Sequence, residues 1–125
     1  MAANDHHSLA ALGQVTALMR AAAEGRLAAL RARAQQTEAQ RRALDSAAKQ
    51  VFDPAASADS GAVEQASLHW QRWVEQRRRA LLSEESKLHA EIQNQLPHLA
   101  IAVGRDETVA RLRADAVARQ RREKD

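Results

Sequence analysis

The stretch Leu27-Ala28-Ala29-Leu30-Arg31-Ala32-Arg33-Ala34-Gln35-Gln36-Thr37-Glu38-Ala39-Gln40-Arg41-Arg42-Ala43-Leu44-Asp45-Ser46-Ala47-Ala48-Lys49-Gln50-Val51 decides the fold. Leu27, Ala34, Arg41 and Ala48 recur every seventh position, and Leu30, Thr37, Leu44 and Val51 recur every seventh position three residues later. This alternating spacing of three and four places both sets on one stripe of a helix, the seam of a coiled coil. The intervening residues are mostly Ala, Arg, Gln and Glu, which lose little side-chain freedom in a helix. Toward the N-terminus, Leu12, Val15, Met19 and Ala23 continue an apolar stripe, but the steps from Met19 to Ala23 to Leu27 are four and four. Such a double step is a stutter, predicted to unwind the supercoil locally. The first helix is predicted over about residues 8–51, with Gly13 and Gly25 as weak points; its 44 residues would give a rod of about 66 Å.

Periodicity stops in Phe52-Asp53-Pro54-Ala55-Ala56-Ser57-Ala58-Asp59-Ser60-Gly61, where Pro, Gly, Ser and Asp cluster. Residues 52–61 are therefore predicted to be a tip loop, with Asp59 or Ser60 capping the next helix. Counted over residues 52–66, Asp53, Asp59 and Glu64 give a local charge of −3. A second helix is predicted over about 62–119, with Val63, Trp70, Val74, Leu81, Leu88, Ile92 and Leu96 on one face, interrupted by Glu84. Pro97 removes a backbone donor and crowds the Gln93 carbonyl, so a bend is expected just before it and a break is an alternative within 97–105, where Gly104 is a second weak point. Val109, Leu112 and Ala116 resume the stripe. Two helices of matching period joined by one short connection imply an all-α fold, an antiparallel two-helix coiled-coil hairpin forming a single elongated domain.

Composition excludes several alternatives. Of the 125 residues, 29 are Ala, leaving 27 larger apolar residues, too few for the layered core of a sheet-based enzyme. With no Cys, disulfides and thiolate chemistry are absent, in keeping with a reducing, cytoplasmic setting. The chain has neither a signal-peptide pattern at its start nor an apolar run of membrane-spanning length, so membrane association is expected only through partners. The net charge is +3, with 16 Arg among the 19 basic residues, an excess too small to imply nucleic acid.

A coiled-coil seam offers no enclosed site for catalysis, and no enzyme activity, cofactor, metal or small-molecule substrate is expected. His6 and His7 are adjacent, so they diverge by about 100° on a helix and do not share a metal. Glu85 and His89 are spaced as a surface i,i+4 pair without a third ligand. No Gly-rich phosphate loop is present. The residues that suggest partner binding are Trp70, Trp73 and Arg77 on the second helix and Arg41 and Arg42 on the first. Trp70 is expected in the seam near Leu44, Ala48 and Val51; Trp73, at the edge of the stripe, fits either packing or a partner contact, since Trp and Arg are enriched at interface hot spots. Arg72, Arg77, Arg78 and Arg79 form a basic girdle, read as a solvated face with pairs such as Glu75 with Arg79, as a dock for an acidic protein, or as a phosphate-binding face. Arg41 occupies a seam position, where a charge commonly sets register or meets a partner.

The long Ala- and Arg-rich first helix, the acidic tip, the return segment Leu68-His69-Trp70-Gln71-Arg72-Trp73-Val74-Glu75-Gln76-Arg77 and the C-terminal run Ala102-Val103-Gly104-Arg105-Asp106-Glu107-Thr108-Val109-Ala110-Arg111-Leu112 together resemble the FliJ-type proteins of the bacterial flagellar export apparatus and their type III secretion counterparts. The resemblance implies an antiparallel two-helix coiled coil similar to the stalk subunit of rotary ATPases. It also implies insertion into a hexameric export ATPase, contact with the export gate, and escort of substrate chaperones. No catalytic residue comes with it. Pro97 and Gly104 depart from that family's uninterrupted last helix. Two other classes compete with this reading: a small Arg-rich helical protein binding nucleic acid, and a homo-oligomeric coiled-coil scaffold.

Overall fold

A computed structural model describes residues 2–50 and 61–125. They form two helices, α1 (Ala2–Gln50) and α2 (Gly61–Lys124), paired as an all-α hairpin, and no strand occurs among the described residues. Val51 and the expected tip at 52–60, with its capping residues, lie outside them. Contacts divide the chain into two units, Leu30–Glu91 and Met1–Ala29 with Ile92–Asp125, each built from a piece of both helices.

In the unit Leu30–Glu91, the expected seam of α1 is the buried one. Ala34 and Thr37 are buried, and Leu30, Arg41, Leu44 and Ala48 are half-buried. Val74, Leu81 and Leu88 of α2 are buried in the same unit, and Leu81, 1% exposed, is its best-covered large side chain. The pairs Arg41 with Glu85 and Asp45 with Arg78 set the direction: four residues forward on α1 correspond to seven residues back on α2, so the segments run antiparallel.

The unit Met1–Ala29 with Ile92–Asp125 corrects the expected frame. Leu12, Val15 and Met19 are each about half exposed, at 47%, 51% and 49%. The buried or half-buried positions are instead Gly13, Thr16, Arg20, Ala23 and Leu27. Their spacing alternates three and four, so no stutter exists in α1. The physical reason lies across the seam, where Val109 is buried and Asp106 half-buried, and where Thr16 and Arg20 supply the hydrogen bonds that Asp106 needs. Gly13 permits close approach here, for a Cβ at this position would lie 3.0 Å from Arg113 Nη1 and 3.7 Å from Val109 Cγ1. On α2, Val109 and Ala116 face inward as expected, whereas Leu112 is 44% exposed.

α2 is helical through Pro97 and Gly104, so the break weighed for 97–105 does not occur. Pro97 and Gln93 are both exposed, and water can solvate the Gln93 carbonyl that loses its backbone donor. α1 also begins earlier than expected, taking His6 and His7 into its first turns.

Gly25 is exposed within α1, and a Cβ built on it meets nothing within 4 Å. Gly25→Ala therefore gains helix propensity without a steric cost, an expected stabilisation of about 0.5–1 kcal/mol. Thermal unfolding followed by circular dichroism would show a midpoint higher by roughly 3–5 °C; an unchanged or lower midpoint would count against a helix continuous at this position.

Candidate functional site

The five residues singled out for partner binding all fall in the unit Leu30–Glu91, but they have different roles. Arg41 is engaged within the chain: its Nε donates to Glu85 Oε2 at 2.8 Å, and its Nη1 lies 3.5 Å from Asp45 Oδ2. The hydrogen bond to Glu85 raises the Arg41 pKa above the ordinary arginine value, against the opposing effect of desolvation, with further support from the charges of Glu85, Asp45 and Glu38. Arg42 is exposed and donates to Glu38 Oε1 at 2.6 Å, one turn back on the same helix. Arg77 is exposed and, among the described residues, has no carboxylate partner.

Within the girdle, Arg79 makes the expected pair with Glu75 at 3.2 Å, and Arg78 reaches Asp45 across the seam at 3.3 Å. Arg72 joins Arg77 as an exposed cation without an intramolecular partner among the described residues. Trp70 is half-buried, while Trp73 is 52% exposed. Both rings border an open depression of about 560 Å³ on α2, with Ala62, Ala66 and His69. The i,i+3 spacing of the two Trp residues accounts for this division, because one turn carries Trp73 past the edge of the buried stripe. A large exposed indole beside unpaired guanidinium groups is a surface able to accept an apolar side chain flanked by carboxylates.

Compared with models of protein families, with curated proteins and with solved structures, this chain matches none.

Two polar layers lie in the helix pairing: Thr37 and Arg41 hold the seam positions expected of them, whereas the layer of Thr16, Arg20 and Asp106 stands where apolar spacing alone does not point. Glu85 is buried, and Glu84, expected to interrupt the seam, is exposed. Glu85 is therefore not the surface partner of His89, which is exposed. In the other unit, Thr16 Oγ1 lies 3.0 Å from Asp106 Oδ1 and 3.2 Å from the Gly13 carbonyl, and its one proton is shared between these acceptors. Arg20 Nη1 lies 3.4 Å from Asp106 Oδ2 and its Nε donates to Glu24 Oε1 at 3.0 Å. The bond to Glu24, then that to Asp106, raises the Arg20 pKa against desolvation. The two layers share a sequence pattern, Thr16-x3-Arg20-x3-Glu24 and Thr37-x3-Arg41-x3-Asp45, three heptads apart on α1, and their acids, Asp106 and Glu85, are also three heptads apart on α2. That recurrence was the signal available in the sequence. Thr37 turns its hydroxyl back to the Arg33 carbonyl at 2.9 Å, so its burial leaves no unmet donor.

Among the described residues, no group of three or more His, Asp or Glu side chains is placed to hold a metal ion, and no helix is long and apolar enough to cross a membrane.

Proposed function

We propose that this chain is a non-enzymatic helical hairpin that works in the cytoplasm by docking on larger proteins, as a component of a flagellar or type III export apparatus. Its partners in this reading are the export ATPase hexamer, the export gate and substrate chaperones. The observation that carries it is Trp73, half exposed on a chain with only two Trp residues and bordering an open apolar depression with Trp70. Arg72 and Arg77 on the same helix are cations without an intramolecular carboxylate among the described residues, which suits an acidic or grooved protein surface. The sequence resemblance supplies the identity of the assembly, and the all-α hairpin agrees with the architecture that the resemblance implies.

The test is a pull-down against export ATPase subunits. Trp73→Ala and Arg77→Glu should each reduce capture by about tenfold or more, the usual scale of a hot-spot truncation or a charge reversal at an interface. Lys87→Ala, at an exposed position of α2 away from the Trp73 depression, serves as the comparison and should change capture little. Undiminished capture by both Trp73→Ala and Arg77→Glu would overturn the assignment of the docking surface, and no capture of the unaltered chain would overturn the assembly.

A further inference from the structure

The unit Met1–Ala29 with Ile92–Asp125 leaves a second apolar stripe outside its seam. On α1, Leu12, Val15 and Met19 are half exposed at spacings of three and four, and Ala22 continues the same line. On α2, Ile101 is 52% exposed and Leu112 44%. All of these but Val15 border two open grooves, of about 360 and 580 Å³, that share Thr16, Ile101 and Arg105. A stripe with this spacing, lying beside a seam already formed, is the surface on which a third helix packs knobs into holes.

The charges along these grooves specify the occupant. Neither groove is lined by a carboxylate, whereas Arg26, His98 and Arg105 line the first and Arg105 also lines the second. Arg26 and Arg105 are exposed and, among the described residues, have no carboxylate partner, in contrast to Arg20, which is held by Glu24 and Asp106. Two copies of the chain meeting groove to groove would bring only cations to the shared edge, which disfavours self-pairing. We propose that this face binds one amphipathic helix of another protein, with Leu, Ile or Met at three-and-four spacing and Glu or Asp on its flanks, to complete a three-helix bundle. The Trp73 surface belongs to the other unit, and this proposal does not depend on it.

The experiment titrates two synthetic helices, each of about 20 residues so that a helix can persist, into the full chain by fluorescence anisotropy. They carry identical Leu stripes, one flanked by Glu and the other by Lys. The Glu-flanked peptide should bind about tenfold tighter or better. Met19→Gln and Ile101→Gln should each weaken it by about tenfold, the effect of losing one buried aliphatic side chain. Arg26→Glu combined with Arg105→Glu should invert the preference toward the Lys-flanked peptide. All four positions are exposed, so helicity by circular dichroism should be unchanged in each variant. Equal binding of the two peptides, no binding of either at about millimolar concentration, or a preference indifferent to the double reversal would overturn the proposal. Two further results would also overturn it: capture by phosphatidylglycerol vesicles through Ile101 and Arg105 without peptide binding, which would assign the face to lipid, and a sedimentation dimer abolished by Ile101→Gln, which would assign it to a second copy.

Discussion

Leu81→Ala lowers the free energy of unfolding by about 3 kcal/mol, within the range of roughly 2–5 for a buried Leu truncated to Ala. Leu81 is 1% exposed, in a unit whose other buried apolar side chains are Ala34, Val74 and Leu88 and which has few large apolar groups to spare. The loss includes the transfer energy of the missing methyl groups and an unfilled space, because α1 and α2 cannot both close in while Arg41 and Glu85 hold their separation one turn away. The adjacent Leu82 is 44% exposed, and Leu82→Ala should change stability by no more than about 0.5 kcal/mol. Urea denaturation of the two variants checks this pair. The Leu81→Ala midpoint should fall with little change in slope. Equal losses at positions 81 and 82 would mean that the buried stripe of α2 runs elsewhere.

The second large effect is expected at Glu85. Its side chain is 11% exposed, and truncating it strands the Arg41 guanidinium in the seam with only Asp45 at 3.5 Å. Glu85→Ala should lower the unfolding midpoint clearly, though by less than breaking a fully buried pair would, because Arg41 retains some access to water. Glu85→Arg should cost more by setting two cations together, and adding Arg41→Glu should recover most of that loss. Glu84→Ala, on the exposed side, should be nearly neutral. The pH dependence follows from the raised pKa of Arg41: its contribution is complete below the ordinary arginine value and is lost only as pH climbs past the raised one. The cost of Glu85→Ala should therefore be the same at pH 7 and at about pH 10. Thermal denaturation of the four variants at the two pH values measures both points, and failure of the reversed pair to recover stability would show that the Arg41–Glu85 contact does not stabilise the hairpin.

Apolar periodicity was enough to place the helices, the antiparallel pairing and the seam from Leu27 to Ala48, because in that stretch the larger apolar residues are the buried ones. It failed between Leu12 and Met19 for a physical reason. There the polar residues Thr16 and Arg20 are inside, satisfied by Asp106 about ninety positions away in the chain, and the apolar residues are left outside. A pattern read along one helix does not contain that partner. Glu85, not Glu84, continues the alternation Leu81, Glu85, Leu88, Ile92, so its seam position is written in the spacing; what the spacing does not contain is Arg41, its partner across the seam. Of the surface residues, Trp73 at the stripe edge and the Glu75–Arg79 pair were legible from spacing alone. The groove beside Ile101 was not, because apolar spacing alone puts its wall of Leu12 and Met19 in the seam.

The recurrence of one arginine on α1 and one acid on α2 after three heptads also governs how the helices resist slippage. Displacing one helix by a single heptad in one direction sets Arg41 at the level of Arg78, and in the other sets Arg20 at the level of Arg113. Either stagger exchanges an attraction for a repulsion, and so does not offer the chain a near-degenerate resting place. Only a shift of three heptads would restore even one complementary couple. An Ala-rich zipper whose apolar knobs are too uniform to tell one notch from the next thus uses its charges as the detent.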